Sequence, residues 1–171
     1  EPGKRLLSLL AYLADEGQPE RADKLMRSLA KPYRDSAMAH YAVAVLALQA
    51  GDVEHAKKRA MQSMQLDPDY VRPKFLYARA LMFEGDEDKA IDYLAHMIGD
   101  SPHPHPDARM ELALMYMLTG RDDDALSQVN QVLMEQGGRH DALRLMAIIN
   151  YRQERLDAAW DDFQDLLASG Q

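Results

Sequence analysis

Four landmark residues recur at a fixed interval in this chain, and that interval constrains the fold more than any other feature. Ala44, Gly51, Ala56 and Pro68 are followed 34 residues later by Ala78, Gly85, Ala90 and Pro102. The same step reaches back to Gly17 and Ala22. Forward, Gly120 and Ala125 arrive one residue late, and Ala147 and Ala159 return to the 34-residue step. The added residue falls near Ser101-Pro102-His103-Pro104-His105-Pro106, a loop where an insertion adds little closure entropy. A period of this length marks a solenoid, in which each unit buries its apolar face only against its neighbours. Five units, approximately 3–36, 37–70, 71–105, 106–139 and 140–171, account for nearly the whole length. The expected organisation is a single array without a second domain.

Each unit reads as helix, tight turn, helix. In the second, the apolar pattern predicts helices over Ala37–Gln49 and Val53–Leu66, separated by Gly51 and ended by Asp67-Pro68-Asp69. Glycine suits a left-handed helix terminus, and proline does not continue a helix. Acidic residues cluster where second helices begin: Asp52 and Glu54, Asp86 to Asp88, and Asp122 to Asp124. There they complement the positive end of the helix dipole. A calcium loop would need alternating oxygen ligands and a distal Glu, which Asp122-Asp123-Asp124 lacks. Ala44, Ala78, Ala113 and Ala147 on first helices, with Ala22, Ala56, Ala90, Ala125 and Ala159 on second helices, are expected where the two approach closely. A bulky side chain there would force them apart.

The composition agrees. Apolar mass comes mainly from Ala, Leu and Met, which lose little rotamer freedom in helices, and β-branched residues are sparse. A formal net charge of −8 disfavours binding along a nucleic-acid backbone. With no cysteine, disulfides and thiolate metal sites are excluded, while either redox compartment stays open. No apolar run approaches the roughly 20 residues that span a bilayer. The opening Glu1-Pro2-Gly3 has neither Met nor a signal-like apolar stretch, so a processed or excised piece of a longer protein is expected.

With small residues at positions 8 and 20 of a 34-residue unit and proline at 32, the pattern resembles the tetratricopeptide repeat. Leu10 stands in place of the small residue of the first unit, Gly137 in place of the fourth unit's proline, and Glu154 in place of the fifth turn glycine. The resemblance implies an all-α, right-handed superhelical solenoid of about five helix-turn-helix units. It also implies a non-catalytic scaffold or adaptor that takes a peptide or partner helix in a concave groove. The closing Asn150-Tyr151-Arg152-Gln153-Glu154-Arg155-Leu156-Asp157-Ala158-Ala159-Trp160 is similar to bacterial envelope repeat lipoproteins that act as adaptors for a periplasmic processing protease. On that likeness a periplasmic or outer-membrane-attached location is expected.

The family's groove is lined by first helices at repeat positions 2, 5, 9, 12 and 13. Carried over, this gives Met38, Tyr41, Val45, Leu48 and Gln49, then Arg72, Phe75, Arg79, Met82 and Phe83. The later units give Asp107, Met110, Leu114, Met117 and Leu118, then Asp141, Arg144, Ile148, Tyr151 and Arg152. The residues expected to hold a partner are Tyr41, Phe75, Arg79, Met82, Phe83, Met110, Met117, Arg144 and Arg152. Met adapts to irregular surfaces, aromatic rings give rigid area, and Arg orients carboxylates. Apolar stripes at helical spacing are more often core, and Val45, Leu48 and Leu114 are read that way. For Arg79 an ion pair with a nearby carboxylate is an equal alternative.

Other chemistries find little support. The Lys and Asn pattern with which some relatives clamp a C-terminal carboxylate is absent in either register, so no such binding is expected. His103 and His105 flank Pro104 without a third ligand nearby, and an exposed Pro-rich turn is the preferred reading over a metal site. Lys57-Lys58-Arg59 is read as a solvated run. No nucleophile pairs with a histidine, and no phosphate loop or His-Glu-x-x-His motif occurs, so neither enzyme activity nor a cofactor is expected. The alternative to a partner-binding scaffold is a spacer or self-associating segment of a larger protein. Uncapped ends and Leu166-Leu167 favour that reading.

Overall fold

Four tight turns between paired helices among the described residues close in the same way. In the first, the Gly51 N–H donates to Leu48 O at 3.0 Å and the Asp52 N–H to Ala47 O at 2.9 Å. Gly85 and Asp86 repeat the pair on Met82 and Leu81, and Gly120 and Arg121 on Met117 and Tyr116. This double closure satisfies the last carbonyls of a helix and needs a left-handed residue. Gly51, Gly85 and Gly120 supply it at φ of 80°, 83° and 76°. The fifth repeat uses Glu154 at φ 59°, with Glu154 and Arg155 donating to Tyr151 and Asn150.

These turns belong to a computed structural model that describes residues 31–99 and 105–169 continuously, and scattered positions between 5 and 29. Every regular element among the described residues is a helix. In order they are α1 (Lys31–Arg34), α2 (Ala37–Gln49), α3 (Val53–Leu66), α4 (Arg72–Phe83), α5 (Glu87–Gly99), α6 (Pro106–Leu118), α7 (Asp122–Glu135), α8 (His140–Arg152) and α9 (Leu156–Ser169). Helices α2 and α3 have the bounds expected from the sequence. Gly17, Ala22, Pro102 and His103 lie outside the described residues.

The chain divides into two compact units, 1–86 and 87–171, with the division at the turn inside the third repeat. In the first unit α3 packs on α2 and α4. Its core joins Leu10, Leu29, Ala39, Ala42, Ala44, Val45, Ala60 and Leu76 around Tyr41. Leu10, which breaks the small-residue rule, is wholly buried there. In the second unit α7 packs against α6 and α8, and α9 against α8. Val129, Val132 and Ile149 fill the centre.

The alanines behave as their spacing predicts. Ala44, Ala78, Ala113 and Ala147 are fully inaccessible, and so are Ala56, Ala90 and Ala125, while Ala159 retains 3%. Buried polar groups find partners across a helix pair. The Ser63 hydroxyl donates to Ala37 O at 2.6 Å, joining α3 to the start of α2. Asn150 Nδ2 donates to Asp162 at 2.7 Å, joining α8 to α9.

Candidate partner-binding surfaces

Each unit exposes its first helices differently from the pattern carried over above. In the first unit, Tyr41 is buried. Its ring meets Tyr70 edge to face at 5.3 Å, and the Arg72 guanidinium lies 5.6 Å from its centroid. The expected contact surface of Tyr41 is thus occupied by its own repeat and the start of α4. Val45 is core, and Met38 and Leu48 are half-buried against it. Phe75 and Met82 are half-buried, Arg79 is exposed, and Phe83 is 72% exposed at the end of α4.

In the second unit Met110 is buried, while Leu114 and Met117 are half-buried against the core. The open apolar area comes instead from their neighbours. Leu118 is 69% exposed at the end of α6, and Ile148 and Tyr151 are exposed on α8. Arg144 is exposed one turn before Ile148. Arg152 Nη1 donates to Met117 O at 2.9 Å, and Nη2 lies 3.5 Å from Asp122. It therefore joins two repeats, and the same bond sets the ends of α6 and α8 side by side. A solvated helix end would ordinarily be polar; here Leu118 and Tyr151 flank that junction.

The acidic first turn of α7 also has a role beyond the dipole. No side chain caps this helix. Asp123 accepts from Gln153 Nε2 at 3.0 Å and Arg155 Nη2 at 3.2 Å, and Asp124 pairs with Arg121 at 2.8 Å. The Asp123 carboxylate ties the second helix of one repeat to the turn of the next. At the opposite end of the helices, Arg139 Nη2 meets Asp107 at 2.7 Å and the guanidinium grips both oxygens of Asp141. The Arg139 hydrogen bond holds the Asp141 carboxyl below its ordinary value, and the two carboxylates push Arg139 further up.

The basic run 57–59 is not simply solvated. Lys57 Nζ bonds Glu54 at 2.8 Å and both oxygens of Glu84, at 2.7 and 2.8 Å. Bonds to Glu54 and then Glu84 raise its pKa. Arg59 donates to His55, His40 and Gln62. Sequence reasoning had no signal for these meetings, because His40 and Arg59 stand on different helices and Lys57 and Glu84 on different repeats. Among the described residues no three His, Cys, Asp or Glu side chains form a metal-sized group, and no helix is long and apolar enough to cross a membrane. His105 sits at the N-terminus of α6.

Comparison with known proteins agrees with this geometry. Residues 83–149 match the family model for the tetratricopeptide repeat. None of the curated proteins matches the chain. Among solved structures, TTC0263, a thermophilic TPR protein in Thermus thermophilus, is similar with TM-score 0.79 and 20% identity, over 98% of this chain and 91% of that one. The pilF protein of Pseudomonas aeruginosa is similar with TM-score 0.70 and 17% identity, over 100% of this chain and 79% of the other. YrrB, described as a TPR protein with an unusual peptide-binding site, gives TM-score 0.58 and 16% identity over 96% and 84%. At such identities the likeness concerns the fold alone.

Proposed function

Because the chain is an array of tetratricopeptide repeats, a fold that serves protein–protein interaction, we propose that it is a non-catalytic adaptor gripping a peptide or partner helix on its first-helix faces. The observation that carries this reading is the exposed set Leu118, Ile148 and Tyr151 on α6 and α8, with Arg144 beside it. Apolar anchors with an adjacent guanidinium suit an amphipathic segment carrying a carboxylate. Phe83, Phe75, Met82 and Arg79 on α4 offer the first unit's counterpart. The peptide-binding site described for YrrB supports the general mode and not the particular residues.

Selection from a displayed peptide library, followed by calorimetry on the full chain, tests the reading. Selected peptides should lose at least about tenfold in affinity for a Leu118→Asp/Tyr151→Ser variant whose helicity is unchanged. Equal binding to both proteins would remove this face from the proposal. The envelope setting rests on the resemblance of the closing segment alone, and cell fractionation tests it.

A second reading, self-association, is favoured by α9. Leu156, Trp160, Phe163 and Leu167 recur at steps of 4, 3 and 4 residues and are all exposed. That spacing forms one apolar seam along a helix. Sedimentation at rising concentration should then show mass increase in the parent protein and not in Leu167→Glu. A constant monomer mass would refute it.

A further inference from the structure

In this acidic protein most basic side chains described above are matched to carboxylates: Lys57, Arg121, Arg139, Arg152 and Arg155 each have one within 3.5 Å. Lys31, Arg34 and Arg59 depart from that pattern together. Lys31, Arg34, Asp35, His40, Val43 and Arg59 line a cavity of about 340 Å³ between α1, α2 and α3. Among the described lining residues, three fixed cations stand with one carboxylate. None of the ion pairs among the described residues involves Lys31, Arg34 or Arg59.

The partners of Arg59 sharpen the contrast. Its Nε donates to His55 Nε2 at 3.1 Å, and its Nη1 meets His40 Nδ1 at 3.2 Å and Gln62 Oε1 at 3.2 Å. A guanidinium has donors only, so His55 Nε2, His40 Nδ1 and Gln62 Oε1 are the atoms that accept from it. None of the three is a carboxylate, the nearest acidic group in this chain of contacts being Asp52, 3.7 Å from His55 Nδ1. Among the described lining residues, the fixed charges of Lys31, Arg34, Arg59 and Asp35 leave two net positive charges.

We propose that this cavity binds a doubly charged oxyanion of the phosphoryl class. Two forked guanidinium groups and an ammonium match an ion that offers several acceptor oxygens and close to two negative charges. A single carboxylate would leave one cation unmatched. The cavity shares no residue with the Leu118–Tyr151 face, and neither assignment depends on the other.

The test is an NMR titration of the His40 ring in the full chain at fixed pH, with inorganic phosphate as the probe and sodium chloride at matched ionic strength as the control. Saturable displacement of the His40 signals by phosphate, absent with chloride, is expected. Phenyl phosphate in a parallel arm separates an esterified phosphoryl group from the free ion, by which of the two binds more tightly. A Lys31→Gln/Arg34→Gln variant, altered only on the short α1, should weaken binding about tenfold or more, the scale of charge-assisted hydrogen bonds. Asp35→Asn should strengthen it. A phosphate response no larger than that to chloride would overturn the proposal. So would equal binding by the α1 variant, or response only to a Glu-rich peptide.

Discussion

Replacing Glu154 by glycine should stabilise the protein, although no contact is gained. Glu154 stands at φ 59°, the left-handed conformation that Gly51, Gly85 and Gly120 adopt at the three equivalent turns. A residue with a Cβ in that region is disfavoured by about 1–2 kcal/mol. Glycine returns about 0.4–1 kcal/mol of this through the larger entropy of its unfolded chain. The net gain for Glu154→Gly is therefore roughly 0.5–1 kcal/mol. The reverse change, Gly120→Glu, should lose about the same, because a Cβ at Gly120 meets nothing within 4 Å and only the backbone conformation is at stake. With a urea slope of roughly 2 kcal/mol/M, the midpoints should move by about 0.3–0.5 M in opposite directions. Circular dichroism at 222 nm through a urea series measures both. If Glu154→Gly leaves the midpoint unchanged or lowers it, with the slope constant, strain at this turn is not what distinguishes the fifth repeat.

Three further outcomes are expected. Ala113→Leu, at a fully buried approach of α6 and α7, should destabilise by about 1–3 kcal/mol through overpacking, read as a lowered urea midpoint. His40 is held below its ordinary 6.5 by burial first and the Arg59 charge second, with Asp35 pulling upward. The unfolded chain therefore binds protons more readily, and stability should fall as pH drops through 6.5 toward the folded value; His40→Gln should flatten that limb. Asp141 is held below its ordinary 3.8 by Arg139, so its contribution is present above 3.8 and is lost as pH falls through the lower folded value. Asp141→Asn should reduce the slope of acid unfolding in that range.

The repeat register was legible because it is a steric requirement written in single residues. Ala44, Ala56, Ala113 and Ala125 are small where two helices touch, and glycine marks left-handed turns, so helix bounds and packing followed from spacing alone. The contact surface was harder to read. Family positions indicate a side of the helix, but they do not reveal that Tyr41 is stacked by Tyr70 and Arg72, or that Arg152 is held by Met117 and Asp122. Those outcomes depend on side chains reaching between helices far apart in sequence. The cavity beside Arg59 is hidden for the same reason, since three short segments supply its lining.

The doubly closed turns carry a kinetic consequence. Each seals a helix with bonds spanning five residues or fewer, and within each unit the helices find their packing partners within the next few dozen residues. Contacts this local keep the search for the native topology short, and chains dominated by them fold in microseconds to milliseconds. Nucleation need not await the C-terminus, because any hairpin can template the next. On a ribosome adding roughly 5–20 residues per second, a completed repeat would have ample time to close before the following one emerged.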